Sequence, residues 1–149
     1  MALDGIVMSA LVRELDRSLS GGRINKIAQP EPDELMLTIK NERTTYRLLL
    51  SAGASLPLVY LTETNKQNPM TAPNFCMLLR KHINGGKILR IYQPGLERII
   101  HFDIEHLNEL GDLCQKTLIV EIMGKHSNII FCNDSGMIIE KRKPAETFL

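Results

Sequence analysis

Leu19-Ser-Gly-Gly-Arg-Ile-Asn-Lys-Ile-Ala-Gln-Pro30 returns 64 positions later as Ile83-Asn-Gly-Gly-Lys-Ile-Leu-Arg-Ile-Tyr-Gln-Pro94. The Gly-Gly pair, two isoleucines and Gln-Pro recur in place, and Leu19/Ile83, Arg23/Lys87 and Lys26/Arg90 are conservative pairs. Upstream at the same offset, Leu11, Leu15 and Leu19 answer to Phe75, Leu79 and Ile83, spaced as on one helix face. Each copy therefore reads as a helix, a glycine stop and a strand. Features shared by the copies are architecture. Features of one copy alone are candidates for function.

The match extends downstream. Pro30-Glu-Pro-Asp-Glu-Leu-Met36 answers to Pro94-Gly-Leu-Glu-Arg-Ile-Ile100. Leu48 to Tyr60 answers to Ile119 to Phe131 at an offset of 71, which places seven extra residues near His106 to Asp112, as in a lengthened hairpin loop. The first helix is expected from Gly5 to about Leu19, capped by Asp4, with Val7, Leu11, Leu15 and Leu19 buried. The second is expected to be capped by Thr71 or Asn74, with Pro73 in its first turn and Phe75, Leu78, Leu79 and Ile83 inward. Leu35, Leu37 and Ile39 alternate as a half-buried strand. The expected class is α+β: an internally duplicated, two-sheet antiparallel β-sandwich with two main helices. The pseudo-repeats span about residues 5–62 and 71–132 of a domain covering 1–140. The tail 141–149 has no counterpart in the first copy and reads as truncated or partly non-native.

At 149 residues with 44% apolar content the chain can build one sizeable core. Its net charge of +1 gives no global polyelectrolyte character, so any nucleic-acid surface must be a local patch. Three cysteines, Cys76, Cys114 and Cys132, lack CxxC spacing and read as reduced core thiols in a cytoplasmic protein. No apolar run approaches a membrane span, and no signal peptide is read.

The copies diverge in two places. After Gln-Pro, the first reads Glu31-Pro-Asp-Glu34 and the second Gly95-Leu-Glu-Arg98. Further on, Ser51-Ala-Gly-Ala-Ser-Leu-Pro57 faces Ile122-Met-Gly-Lys-His-Ser-Asn128, preceded by Glu121. Lysine, histidine, serine and asparagine around a glycine turn suit phosphates and base edges, and Arg98 adds a planar fork. Each also has a plain structural reading. Glu97 and Arg98 can form a surface ion pair of small value, and 124–128 can be a polar hairpin loop. His82, His101 and His106 can be packing or surface residues. Tyr92 and Phe102 either present aromatic faces near the site or pack within the sheet. No GxSxG, P-loop, HExxH or dinucleotide fingerprint occurs, so no catalytic residue, metal ligand or cofactor is assigned.

Three segments together carry a family resemblance: Met1-Ala-Leu-Asp-Gly-Ile6, Gln93-Pro-Gly-Leu-Glu-Arg-Ile-Ile100 and Glu121-Ile-Met-Gly-Lys-His-Ser-Asn-Ile-Ile130. They resemble the NFACT-N domain of the RqcH/NEMF family, also called fibronectin-binding protein A. The resemblance implies an N-terminal tRNA- and ribosome-binding module of a ribosome-associated quality control factor. Such factors bind large subunits obstructed by peptidyl-tRNA and recruit charged tRNA, in bacteria mainly tRNA-Ala, to tail the stalled chain. It also implies a fold similar to the N-terminal domain of formamidopyrimidine-DNA glycosylases. Those enzymes use an N-terminal proline amine followed by glutamate. This sequence starts Met1-Ala2-Leu3, so a non-enzymatic binding module is expected.

By the same resemblance the tRNA-binding residues are Glu97, Arg98, Glu121, Lys125, His126 and Asn128. The family's usual pair is Asp-Arg, and Glu97 departs by one methylene. Arg98 is the firmest member. Lys125 would meet phosphate, His126 would stack or donate, and Asn128 would read an edge or only fix the turn. Two other classes stay open: a glycosylase-like nucleic-acid enzyme and a fibronectin-binding surface adhesin.

Overall fold

The computed structural model describes residues 5–53, 58–64, 66–123, 127–134 and 137–141. Helix α1 spans Gly5–Leu19 and buries Met8, Val12, Leu15 and Leu19. The expected stripe is thus turned by one residue, with Val7 39% exposed. Strict i+4 spacing drifts around a helix of 3.6 residues per turn, whereas 8, 12, 15 and 19 stay on one face. Asp4, the expected cap, lies outside the described residues. Helix α2 spans Asn74–Ile83; Pro73 itself occupies the cap position, extended and without a side-chain cap hydrogen bond. Its missing N–H costs nothing there, and the helix buries Phe75, Cys76, Leu79 and Ile83.

The strands are β1 (Arg23–Ala28), β2 (Glu34–Asn41), β3 (Thr44–Ser51), β4 (Leu58–Thr62), β5 (Lys87–Tyr92), β6 (Ile99–Leu107), β7 (Leu113–Glu121), β8 (Asn128–Asn133) and β9 (Ile138–Lys141). They form one antiparallel sheet in the order β4-β3-β2-β1-β5-β6-β7-β8-β9. This corrects the expectation of two separate sheets. The halves are hydrogen-bonded to each other through β1 and β5, whose single register pair is Arg23 with Lys87.

That junction has internal two-fold symmetry. Gly21 N–H donates to Ile88 O and Gly85 N–H to Ile24 O, both at 2.7 Å. Ile24 N–H donates to Gly86 O and Ile88 N–H to Gly22 O, both at 2.8 Å. Each bond maps onto its mate when the halves are exchanged, as at an isologous dimer interface. The repeated Gly-Gly is required by this geometry. Gly21 and Gly85 have φ of 89° and 81°, which only glycine adopts freely. A Cβ on Gly22 would come within 2.8 Å of the Ile39 side chain, and one on Gly86 within 2.9 Å of Ile104.

The helices pack across the junction, each against the other half's first strand. Asp16 of α1 accepts from Ile91 N–H at 2.8 Å. At the matching place, Arg80 of α2 donates Nε–H to Ile27 O at 2.8 Å. Inward-facing Ile24, Ile27, Leu37, Ile39 and Leu48 of one half, and Ile88, Ile91, Phe102, Ile104 and Leu118 of the other, close a single core beneath them. Such burial is worth about 25 cal/mol per Å² of apolar surface.

Register fixes how the halves correspond. Ile27 pairs with Leu37 and Ile91 with Phe102. Leu37 pairs with Leu48 and Phe102 with Leu118, while Leu48 pairs with Leu61 and Leu118 with Phe131. The offset is therefore 65 in β2/β6 and 70 in β3/β7 and β4/β8. One extra residue sits in the turn after Gln93-Pro94 and five in the loop between β6 and β7. The expected offset of 71 was one residue too long. A one-residue slip exchanges the faces of a strand; it would set buried Leu48 against the outward Ile119 instead of Leu118.

Candidate nucleic-acid interface

The turn between β5 and β6 is held at three points. Gln93 donates its side-chain amide to Glu97 O, and also to Gly5 O at 3.2 Å. Ile122 N–H donates to Arg98 O at 2.9 Å. Gly95 turns the chain at φ 63°. The start of α1 presses on this turn so closely that a Cβ on Gly5 would overlap the Leu96 carbonyl oxygen. The backbone is thus fixed while Glu97 and Arg98 remain exposed. Neither joins the ion pairs found among the described residues, which are Lys66–Glu34, Lys81–Glu109 and Arg90–Asp103. The plain reading of Glu97 and Arg98 as a mutual ion pair is not what the geometry shows.

The first half supplies a reference for this turn. Gln29 donates to Pro32 O at 3.0 Å, as Gln93 does to Glu97 O. Ala52 N–H donates to Asp33 O at 2.8 Å, as Ile122 N–H does to Arg98 O. The repeated glutamine is therefore a brace for the turn. The structural counterpart of Arg98 is Asp33, so one backbone position carries opposite charges in the two halves.

Glu121 lies beside this turn, paired in register with Ile99 on one side and Asn128 on the other, and is half-buried. Its first-half counterpart is Ser51. Asn128 is only 2% exposed, and its side-chain oxygen accepts from Ile129 N–H at 2.9 Å. Ser127 is buried and accepts from Met123 N–H at 2.8 Å. Of the two roles read for Asn128, fixing the turn is the one this burial fits. Lys125 and His126 lie outside the described residues. The structure thus brings Glu97, Arg98 and Glu121 together at one end of β6 and β7, with Asn128 behind them.

A second polar cluster continues from this end along the outward face of β5, β6 and β7. Arg90 Nε–H donates to Asp103 at 2.8 Å, and Thr117 donates its hydroxyl to the other Asp103 oxygen at 2.9 Å. The Arg90 guanidinium lies 4.1 Å from the Tyr92 ring centre. The Tyr92 hydroxyl is 3.1 Å from His101 Nδ1. Burial holds His101 below the ordinary histidine value of 6.5, with Asp103 pulling the other way. Sequence reading weighed Tyr92 and His101 but missed Arg90, Asp103 and Thr117, because their association depends on a bulge between Ile88 and Arg90. Phe102, weighed alongside Tyr92, is fully buried.

At the opposite end of β6, His106 Nε2 lies 3.2 Å from Cys114 Sγ and 3.1 Å from Lys116 Nζ. Among the described residues no group of three or more His, Cys, Asp or Glu side chains can hold a metal ion. Among them, too, no helix is long and apolar enough to cross a membrane.

Residues 4–147 match the family model of NFACT N-terminal and middle domains. The chain belongs to that family. It is 44% identical over 139 residues to the Rqc2 homolog RqcH of Bacillus subtilis, covering 93% of this chain and 24% of that protein. The Rqc2 homolog RqcH of Streptococcus suis is 44% identical over 144 residues, covering 96% and 26%. Among solved structures, the N-terminal domain of the fibronectin-binding protein PavA from Streptococcus pneumoniae superposes with a TM-score of 0.92 at 43% identity, covering 95% of this chain and 54% of that one. The chain spans about a quarter of the length of the curated relatives it matches.

Proposed function

We propose that this chain is the RNA-gripping N-terminal domain of a ribosome quality control factor. In this reading it binds tRNA and the large ribosomal subunit obstructed by peptidyl-tRNA, and works in the cytoplasm as a binding module without catalysis of its own. Its share of the whole protein's work is to help recruit charged tRNA, with tRNA-Ala the first candidate, for C-terminal tailing of the stalled chain. Two further relatives, from Mus musculus and Homo sapiens, are named ribosome quality control complex subunit NEMF and support the quality-control role.

The observation that carries the RNA reading is the exposed Arg98 on a turn braced by Gln93, Gly5 and Ile122, where the first half has Asp33. A guanidinium held on a fixed backbone without an internal carboxylate partner is free to take phosphate or a guanine edge. Glu97 orients it or accepts from an exocyclic base amine. The test is Arg98→Ala in the full-length protein. Tailing and tRNA recovered with the subunit complex should both be lost, while subunit binding is largely kept. Tailing at the wild-type rate would overturn the reading.

A second reading comes from the superposing PavA domain, which belongs to a protein named for fibronectin binding. It requires saturable fibronectin binding by the purified chain and surface labelling on intact cells. A glycosylase-like activity requires cleavage of lesion-containing duplex, which the proposal expects to be absent.

A further inference from the structure

We propose that Tyr92, His101 and Arg90 form a nucleobase slot on the outward face of the second half, taking an unpaired base of the RNA whose backbone meets Arg98. This rests on the RNA-binding reading and extends it from the turn to the sheet. The slot is a cavity of about 400 Å³, lined by Arg90, Tyr92, His101, Thr117, Asn133 and Asp134 among others. That is within the range of small-molecule sites.

The internal duplication supplies the control. By register, Arg90, Tyr92, His101, Asp103 and Ile119 correspond to Lys26, Ala28, Met36, Thr38 and Leu49. In the first half Ala28, Met36 and Leu49 are buried, at 5%, 6% and 3% exposure. At the same places the second half exposes a phenol and an imidazole in part, beside an exposed guanidinium. The sheet does not need these groups, since its twin is built without them.

The slot is also pre-ordered. Asp103 is 3% exposed, fixed by Thr117, and holds Arg90 over the Tyr92 ring. Tyr92 and His101 are joined through Nδ1, with ring centres 5.0 Å apart. Side chains locked before binding lose little freedom on binding. The chemistry favours a base over a phosphate. Asp103 balances Arg90, Asp134 adds negative charge at the rim, and burial keeps His101 neutral near pH 7. What remains are planar faces and neutral donors and acceptors, which recognise unstacked bases.

Position agrees. His101 is three residues from Arg98, which sits in the turn one residue ahead of β6. At about 3.3 Å per strand residue that is roughly 10 Å, about three stacked base steps. Ile99 and Glu121, which pair in register, carry the same outward face from the slot to the turn.

The test is a salt titration of fluorescent bulk tRNA binding to this chain and to Tyr92→Leu, Arg90→Met, His101→Leu and Arg98→Ala, each checked for an unchanged melting temperature. Met36→Leu serves as the first-half control. Stacking on aromatic side chains predicts an affinity loss of about 10-fold for Tyr92→Leu with an unchanged salt slope. Arg98→Ala should lose affinity and reduce the slope by about 1. Irradiation of 4-thiouridine-containing tRNA should crosslink Tyr92 itself, located by fragmentation within the tryptic peptide 91–98 that also holds Arg98. If Arg98→Ala loses affinity but all three slot variants stay within twofold of wild type, the slot is refuted and the RNA reading stands. If slot variants lose affinity and Arg98→Ala does not, the slot stands and the anchor is wrong. No tRNA binding by the wild-type chain at low salt overturns both.

Discussion

The turns after Gln29-Pro30 and Gln93-Pro94 are built by the same brace and end in opposite charges. In each, glutamine holds a turn carbonyl, and the carbonyl of Asp33 or Arg98 accepts from the strand beside it. The glutamine brace and the carbonyl bond are common to both turns, and the charge that projects from them is not. One half has kept to structural duty. The other carries Arg98, Glu121 and the outward cluster of Arg90, Tyr92 and His101. Duplication makes this separation visible without any second protein.

The comparison breaks if the shared framework is not equally necessary on both sides. Leu37→Ala and Phe102→Ala remove matching core side chains, each fully buried. Urea unfolding should show losses of about 2–5 kcal/mol for either. A cost confined to one half would mean the core is not a symmetrical unit. Next in size is Gly5→Ala, which drives a methyl into the Leu96 carbonyl of the second turn. Overpacking of this kind costs about 1–3 kcal/mol, and tRNA affinity should fall with it as the turn shifts. Among the described residues the Gln29 side chain bonds only Pro32 O, so the first turn has no counterpart of the Gly5 brace to lose.

A smaller effect separates the halves by pH. All four histidines, His82, His101, His106 and His126, lie in the second half. Burial holds His82, His101 and His106 below 6.5 in the folded chain. Each therefore binds its proton more readily when unfolded. Stability is full above the unfolded value and falls as pH drops through about 6.5 towards the depressed folded values. The melting temperature should decline from pH 7 to pH 5, and His106→Gln should flatten that decline. An unchanged slope in this variant would show that the buried imidazole is not its source. Smallest of all is Glu34→Gln, which removes the surface pair with Lys66 at 2.6 Å. Its cost should be about 0.5 kcal/mol or less, with tRNA binding unaffected.

Much of this was legible in the sequence. Gly-Gly marked both helix ends, and the repeated isoleucines marked both strand entries. The turn around Arg98 stood out because its letters change while its surroundings do not. The correspondence beyond that turn was not legible. One residue is inserted in the turn, where no apolar periodicity marks it. Letter matching therefore paired Arg98 with Glu34 instead of Asp33. The single sheet was hidden as well, because its junction is made of backbone bonds around Gly22 and Gly86 that no side-chain pattern records. Asp103 carries no signal of its own in the sequence, which has 17 Asp and Glu residues. Only the bulge in β5 brings Arg90 opposite it.

The most direct test exchanges the one position that differs most. Arg98→Asp and Asp33→Arg place each half's charge on the other half's turn, and both can be titrated with tRNA at low salt. The account predicts an affinity loss of about 100-fold for Arg98→Asp, since an attractive contact becomes a repulsive one. It predicts at most a small gain for Asp33→Arg, with melting temperatures of both close to wild type. Undiminished tRNA binding by a folded Arg98→Asp chain would contradict the claim that the second half is the binding surface.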